Sequence, residues 1–228
     1  ATLASNTAES VTVTGTGNVA GTTGAGANQL DAATSINTTG MTAGNATFTI
    51  ADGTATTYTG GAGVDSVTVT NAATAITKAI DLGAGDDILT LNGAAIAPTA
   101  TLKGGDGTDT ISMTGARAEA LSANTTFAGK VEGFEKLYIN DTVAAATTVN
   151  MANMDGITYV VSNGTGAVGA AATKEVITID FASPAKPVVE PVAVDFSKAG
   201  LALCILDSGA DHADLTDLHH RHRLILGC

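Results

Sequence analysis

Three aspartates, Asp65, Asp87 and Asp109, recur at a constant interval of 22 residues in the middle of the chain. A glycine-rich stretch precedes each aspartate, and an apolar residue follows it two positions later. The carboxylate offers a hard anionic oxygen, and glycine leaves the neighbouring backbone carbonyl oxygens uncovered. Because Ca²⁺ takes about six to eight oxygen ligands in irregular geometry, this pattern is typical of a calcium-binding turn.

The three segments share the frame Gly-Gly-x-Gly-x-Asp-x-apolar-x. They begin at Gly60, Leu82 and Gly104, so Leu82 replaces one glycine of the second copy. Two neighbouring carboxylates, Asp86 and Asp106, are additional oxygen donors. The predicted metal ligands are Gly61, Gly63, Asp65, Gly83, Gly85, Asp86, Asp87, Gly105, Asp106, Gly107 and Asp109.

This frame resembles the calcium-binding nonapeptide of RTX proteins, whose repeats stack as a parallel β-helix or β-roll. The resemblance covers roughly 55 residues and depends on three copies at one period. It implies calcium as the cofactor and an extracellular or bacterial cell-surface location. The chain departs from the family in two respects, since its period is 22 residues instead of nine and only one edge of each coil carries the Gly-Asp turn.

A period of 22 residues is enough for two strands and two turns in each coil. Stacked coils lie about 4.8 Å apart, which would place Asp65 over Asp87 and Asp87 over Asp109. We therefore expect up to two calcium ions between these three turns. The alternative is a metal-free turn that only reverses the chain, because Asp and Gly are also good turn residues. Repulsion between stacked carboxylates favours the ion.

Composition indicates an all-β protein of the parallel β-solenoid, β-roll-like class. Gly, Ala and Thr dominate, aromatic residues make up 4%, and there is no Trp. Such a core is thin and built from small and β-branched side chains, which favour strands. The net charge of −12 argues against nucleic acid or an anionic membrane surface as a partner and agrees with cation binding. The apolar runs are too short for insertion into a membrane.

The segments that flank the repeats predict further, less regular coils. Residues 10–15 and 46–50 alternate as strands, and 24–30 aligns with 61–67 as a degenerate turn with Asn28 at the aspartate position. Downstream, 117–126 predicts a short helix or a capping loop. The next segment, 131–140, contains a Gly-Phe-Glu element similar to that of bacterial S-layer and large surface β-repeat proteins. Within that segment, Phe134, Leu137 and Ile139 are predicted to line the core. Further strands are predicted at 157–162 and 176–181.

A domain boundary is predicted at 183–191, where three of the four prolines lie. The solenoid would occupy 1–182, with a short C-terminal appendage at 192–228. The appendage shows two short resemblances, one to the Asp-Ser-Gly-Ala element of aspartic proteases at Asp207 and one to galactokinases. Neither carries a complete site. The appendage also holds four histidines, several aspartates, and Cys204 and Cys228, which can form a disulfide in an oxidising compartment.

These patterns predict a structural surface protein rather than an enzyme. Residues 1–182 contain no His and no Cys, which excludes His-based triads and His/Cys zinc sites from that region. The leading hypothesis is a calcium-stabilised module that self-associates into an S-layer, matrix or filament. The alternatives are an RTX-type adhesin module that binds a surface glycan or host surface, and a fragment of a secreted hydrolase that uses a carboxylate pair.

Overall fold

The computed structural model describes residues 1–70, 74–93, 96–123, 125–141, 147–154, 156–162, 176–180, 193–195 and 202–206. Over these residues the chain forms parallel strands that stack as a β-solenoid of about seven turns. The coils of the repeated region contain about 22 residues each. The prediction of an all-β parallel solenoid is therefore confirmed.

In chain order the strands are β1 (Thr2–Leu3), β2 (Ser10–Gly15), β3 (Val19–Thr22), β4 (Ser35–Met41), β5 (Ala46–Ile50), β6 (Thr57–Thr59), β7 (Asp65–Val69), β8 (Ile80–Asp81), β9 (Ile88–Leu91), β10 (Leu102–Lys103), β11 (Thr110–Met113), β12 (Val131–Glu132), β13 (Lys136–Ile139), β14 (Thr147–Asn150), β15 (Tyr159–Ser162), β16 (Val176–Asp180), β17 (Ala193–Asp195) and β18 (Ala202–Leu206). The helix α1 (Gly115–Ser122) follows β11, and a turn of 3-10 helix (Met151–Asn153) follows β14. Neither helix could cross a membrane, and the rest of the described chain adds no candidate span.

The strands form three parallel sheets. The odd-numbered strands make a nine-stranded sheet in the order β1-β3-β5-β7-β9-β11-β13-β15-β17. The even-numbered strands make a six-stranded sheet from β2 to β12 and a three-stranded sheet of β14, β16 and β18. The chain thus crosses from one face of the coil to the other and back. Parallel strands need a crossover connection, and here a strand of the opposite face supplies it.

The core lies between the two faces and follows from the alternation of side chains along each strand. In β7, Asp65, Val67 and Val69 are buried while the residues between them are partly exposed. Successive side chains of a strand point to opposite faces of its sheet, so every second residue enters the core. Phe48 and Tyr58 meet there from opposite sheets, with ring centroids 5.7 Å apart. The predicted core residues Phe134, Leu137 and Ile139 are all buried.

The coils have a constant length only where the sequence repeats. Asp65, Asp87 and Asp109 are 22 residues apart in register, whereas the next coil places Glu135 26 residues after Asp109. That longer coil contains α1, whose N-cap Thr114 accepts a hydrogen bond from the Arg117 N–H at 3.3 Å. Of the two alternatives predicted for 117–126, a short helix or a capping loop, the structure has the helix, which begins two residues earlier.

The first coils are in a different register from the one predicted. Ala46 pairs with Asp65 and Val19 pairs with Ala46, so these residues occupy the aspartate position in the early coils. The segment 24–30 follows β3 and lies at the opposite edge of the solenoid, where Leu30 forms bridges with Ser5 and Thr23. The interpretation of this segment as a degenerate metal turn is therefore wrong. Its likeness to 61–67 is local and does not determine coil register.

The last strands continue the sheets with longer coils, since Thr147 pairs with Ile177 and Tyr159 pairs with Ala193. Strand β15 pairs with β17, and β16 pairs with both β14 and β18. The strands predicted near 157–162 and 176–181 exist as β15 and β16. They belong to different sheets, so they do not stack on each other as equivalent strands of successive coils. Strands β17 and β18 come from the region expected as an appendage and add to these sheets. The predicted linker at 183–191, Asp207, the histidines and Cys228 lie outside the described residues.

Candidate metal centre

The glycines of the repeated frame lie above one another at one edge of the solenoid. A Cβ built on Gly85 would lie 2.6 Å from the carbonyl oxygen of Gly63 in the preceding coil. A Cβ on Gly63 would collide with the carbonyl oxygen of Gly44, and one on Gly107 with that of Gly85. Gly85 and Gly107 also have φ angles of 143° and 139°, which side chains rarely adopt. The frame therefore needs glycine because successive turns are in backbone contact.

Backbone hydrogen bonds connect the turns directly. The Ala84 N–H donates to the Gly61 carbonyl at 2.8 Å, and the Asp106 N–H donates to the Gly83 carbonyl at 2.9 Å. The Gly85 N–H donates in turn to the Asp106 carbonyl at 2.8 Å. These bonds use some of the carbonyl oxygens that sequence reasoning assigned to calcium. The turns can therefore stack in register through the backbone alone.

The predicted aspartates form a continuous column inside this edge, which we call the acidic ladder: Asp65, Asp87, Asp109 and Glu135. The Asp65 N–H donates to Asp87 Oδ1 at 2.7 Å, and the Asp87 N–H donates to Asp109 Oδ1 at 2.8 Å. The Asp109 N–H donates to Glu135 Oε2 at 2.8 Å. From Asp87 onward, each carboxylate thus uses one oxygen to hold the preceding coil. The three aspartates are at least 98% buried.

The second carboxylate oxygens differ along the ladder. Asp65 Oδ2 accepts hydrogen bonds from the Tyr58 hydroxyl at 2.9 Å and from the Gly61 N–H at 3.3 Å. Asp87 Oδ2 and Asp109 Oδ2 are equally buried, but neither has a hydrogen-bond partner in the part of the chain that the structure describes. A buried polar atom without a partner loses its hydration and gains nothing in return. A cation beside these two oxygens would supply the missing contacts.

Burial raises the pKa of all three ladder aspartates in the metal-free protein. Burial, as the main cause, together with the charges of Asp65, Asp109 and Asp86, raises the pKa of Asp87 to about 7, while the Asp65 N–H opposes the rise. Burial is also the main cause of the raised pKa of Asp65 and Asp109. A cation beside the ladder would favour the ionised forms instead, because opposite charge stabilises a carboxylate.

The two outer carboxylates, Asp86 and Asp106, lie at the same edge but are less enclosed than the ladder. Asp86 Oδ1 accepts a hydrogen bond from the Thr108 N–H of the next coil at 2.9 Å. Asn18 has the same role near the start of the solenoid, where its Oδ1 accepts from the Asn45 N–H at 3.0 Å. Asp86 therefore belongs to a second, outer column that also connects neighbouring coils, and both carboxylates add negative charge near the ladder.

The donor set at this edge fits calcium in its chemistry. Among the described residues, no group of three or more His, Cys, Asp or Glu side chains is placed to hold a metal ion. Carboxylates alone would therefore not complete a site, and backbone carbonyl oxygens of the glycine turns would have to supply further ligands. Calcium accepts carbonyl and carboxylate oxygens together. The two buried oxygens without partners, Asp87 Oδ2 and Asp109 Oδ2, satisfy the first requirement of such a site.

Sequence reasoning missed two residues of this edge. Glu135 extends the ladder by one coil, and its signal was present, since an acidic residue lies two positions before buried Leu137 just as Asp109 lies two before Ile111. Tyr58 lies outside the repeated frame and left no signal. Only the fold brings its hydroxyl to Asp65, seven residues further along the chain.

Comparison of the chain with protein-family models, with curated proteins and with solved structures finds no match. The sequence and the geometry of the ladder are therefore the basis for a functional proposal.

Proposed function

We propose that this chain is a calcium-stabilised structural module of an extracellular or cell-surface protein that self-associates into an S-layer, matrix or filament. The observation that carries the proposal is the pair of buried, unpartnered oxygens, Asp87 Oδ2 and Asp109 Oδ2, which lie among the described residues at an edge of stacked glycine turns. Leaving such oxygens ionised and bare is costly, and a divalent cation would remove both the charge repulsion and the missing contacts.

In this proposal Asp87 and Asp109 hold the ion, with carbonyl oxygens of the glycine turns as further ligands and Asp86 and Asp106 as nearby negative charge. Bound calcium supplies positive charge that neutralises the ladder. Metal that binds only the folded state adds its binding free energy to the stability of that state. The module would then be least stable where calcium is scarce and gain its full stability in a calcium-rich exterior.

The self-association component of the proposal is supported by the way the strands stack. Each strand pairs in parallel with the strand one coil away, from β1 with β3 to β15 with β17. Strands can pair in the same way with a strand of another chain wherever their backbone groups are accessible. A solenoid is extended by adding coils, so another copy of the chain is a suitable partner.

The test is a thermal unfolding series in chelator, calcium and magnesium, followed by circular dichroism, with light scattering as the readout for assembly. Calcium should raise the unfolding midpoint and increase scattering, and magnesium should do so much less, because it requires stricter octahedral geometry. The double variant Asp87→Asn/Asp109→Asn should lose the calcium response. Asp52→Asn is the matched control, since Asp52 is exposed at the opposite edge and Asn keeps the oxygen that accepts from the Thr54 N–H.

An unfolding midpoint in chelator that calcium does not change would overturn calcium binding as a source of stability. A calcium-dependent midpoint without any increase in scattering would overturn self-association.

A further inference from the structure

Tyr58 occupies a position that changes its residue type from coil to coil. Tyr58 pairs in register with Ile80, and Ile80 pairs with Leu102. All three side chains are buried in the core. Each lies seven residues before an aspartate of the acidic ladder, so the pairs Tyr58/Asp65, Ile80/Asp87 and Leu102/Asp109 are structurally equivalent. Only the first pair includes a hydroxyl group.

That hydroxyl is the closer of two donors to Asp65 Oδ2, the other being the Gly61 N–H at 3.3 Å. The Tyr58 hydroxyl donates to Asp65 Oδ2 at 2.9 Å and lies 3.2 Å from Thr38 Oγ1, which keeps it within a hydrogen-bonded group inside the core. In the next two coils an aliphatic side chain replaces the tyrosine, and there the corresponding oxygens, Asp87 Oδ2 and Asp109 Oδ2, have no partner among the described residues. Among the three aspartates, the Oδ2 atom that has hydrogen-bond partners is therefore the one that faces a tyrosine hydroxyl.

We infer that the Tyr58 hydroxyl takes the place of a cation at Asp65, so that this residue column decides how many coils of the ladder bind metal. The inference rests on the proposed function, because it assumes that the unpartnered oxygens bind calcium. Asp65 then belongs to the ladder through its hydrogen bonds and not as a metal ligand. The expected row of ions is shorter than the three stacked aspartates suggest, and it begins at Asp87.

The inference predicts opposite effects for adding and removing the hydroxyl. Tyr58→Phe removes the shorter of the two hydrogen bonds to Asp65 Oδ2 and leaves the one from the Gly61 N–H at 3.3 Å, so the variant should bind one more calcium ion per chain than the parent. Ile80→Tyr places a donor beside Asp87 and should bind one ion fewer. Ile80→Phe is the matched control, since it adds the same bulk without the hydroxyl and should keep the parental number.

The experiment uses the full chain and measures calcium per chain by equilibrium dialysis with metal analysis, together with the unfolding midpoint in chelator. In chelator Tyr58→Phe should unfold at a lower temperature than the parent, and Ile80→Tyr at a higher temperature than Ile80→Phe. If the aromatic side chain prevents folding at position 80, the pair Leu102→Tyr and Leu102→Phe provides the same comparison at Asp109.

Three outcomes separate this inference from the proposed function. A gain in bound calcium for Tyr58→Phe and a loss for Ile80→Tyr relative to Ile80→Phe support the inference. A parent that binds calcium, with the same number in Tyr58→Phe and in both variants at position 80, overturns the inference and leaves the proposed function standing. A parent and a Tyr58→Phe variant that both bind no calcium overturn the two together.

Discussion

At the scale of single residues, one type of side chain has two tasks at this edge. Asp87 and Asp109 each hold the preceding coil with Oδ1, through a hydrogen bond of 2.7 to 2.8 Å from a backbone N–H. The second oxygen, Oδ2, is not used in this way. In Asp65 the Oδ2 atom accepts a hydrogen bond from the Tyr58 hydroxyl. The carboxylate is therefore structural through one oxygen, and the proposed function assigns the other to a cation. Asparagine can retain the first task and cannot perform the second.

The metal-free protein should lose stability as the pH rises from 5 to 8. The folded-state pKa of Asp87 is about 7, above its ordinary value of 3.8. The folded state binds this proton more tightly, so its contribution is fully present below the ordinary pKa and is lost as the pH rises through the folded pKa. The raised pKa values of Asp65 and Asp109 act in the same direction. Urea unfolding in chelator at several pH values measures the dependence.

Two comparisons make this prediction specific. Asp87→Asn should be more stable than the parent in chelator at pH 8 and should show a weaker pH dependence, because it removes the charge and keeps the oxygen that accepts from Asp65. Saturating calcium should reverse the sign of the dependence in the parent, since the ion requires ionised carboxylates. Stability in chelator that rises between pH 5 and pH 8 would contradict the raised pKa of Asp87.

At the scale of elements, the glycine-rich turns need glycine mainly because neighbouring coils are in contact there, and less because of the backbone conformation of each turn. Gly63 does not have a positive φ angle, yet its missing Cβ leaves room for the carbonyl oxygen of Gly44. Its column continues through Gly85 and Gly107, where a positive φ adds a second reason for glycine. The strands also depend on contacts between coils, because each strand pairs with the strand one coil away and not with its neighbour in sequence.

Gly63→Ala should therefore destabilise the fold by about 1–3 kcal/mol or more, as an overpacked core substitution does, because the obstructing atom belongs to the backbone. Gly17→Ala is the matched control, since Gly17 lies one coil before Gly44 in the same column and a Cβ there would contact nothing within 4 Å. Chemical denaturation of both variants measures the difference. Equal stability of the two would show that the turns can move apart without cost.

At the scale of the whole molecule, stability is expected to vary along the solenoid. Each coil contacts mainly the coils before and after it, so local stabilisation spreads only to its neighbours. The ladder occupies the central coils, whereas the first coils have Val19 and Ala46 in the corresponding positions and contain no ladder carboxylate. Cation binding at Asp87 and Asp109 should therefore act on the middle of the molecule first.

Hydrogen–deuterium exchange with and without calcium tests this expectation. Calcium should slow exchange most in strands β7, β9 and β11, whose amides flank the ladder, and least in β1 and β3 at the first end of the sheet. Exchange in Asp87→Asn/Asp109→Asn should not respond to calcium. Uniform slowing over all coils would indicate a single cooperative unit and contradict the nearest-neighbour behaviour expected of a solenoid.

The fold class, the coil length and the aspartate column could be predicted from the amino-acid sequence, because these three properties depend on repetition. Identical residues at a period of 22 occupy identical places in stacked coils, so Asp65, Asp87 and Asp109 had to align once the solenoid formed. The register of the first coils could not be predicted in this way, since the likeness of 24–30 to the repeat is local and the segment lies at the other edge.

Tertiary packing also determines which oxygens of the ladder have partners. The hydroxyl of Tyr58 reaches Asp65 from the opposite sheet, and the backbone of each coil bonds to the carboxylate of the next. Such contacts join residues of different coils or of opposite faces, so they form only once the coils have stacked and the two faces have packed together. The repeated frame therefore predicts where carboxylates gather, and packing across the core determines which of them remain available for a cation.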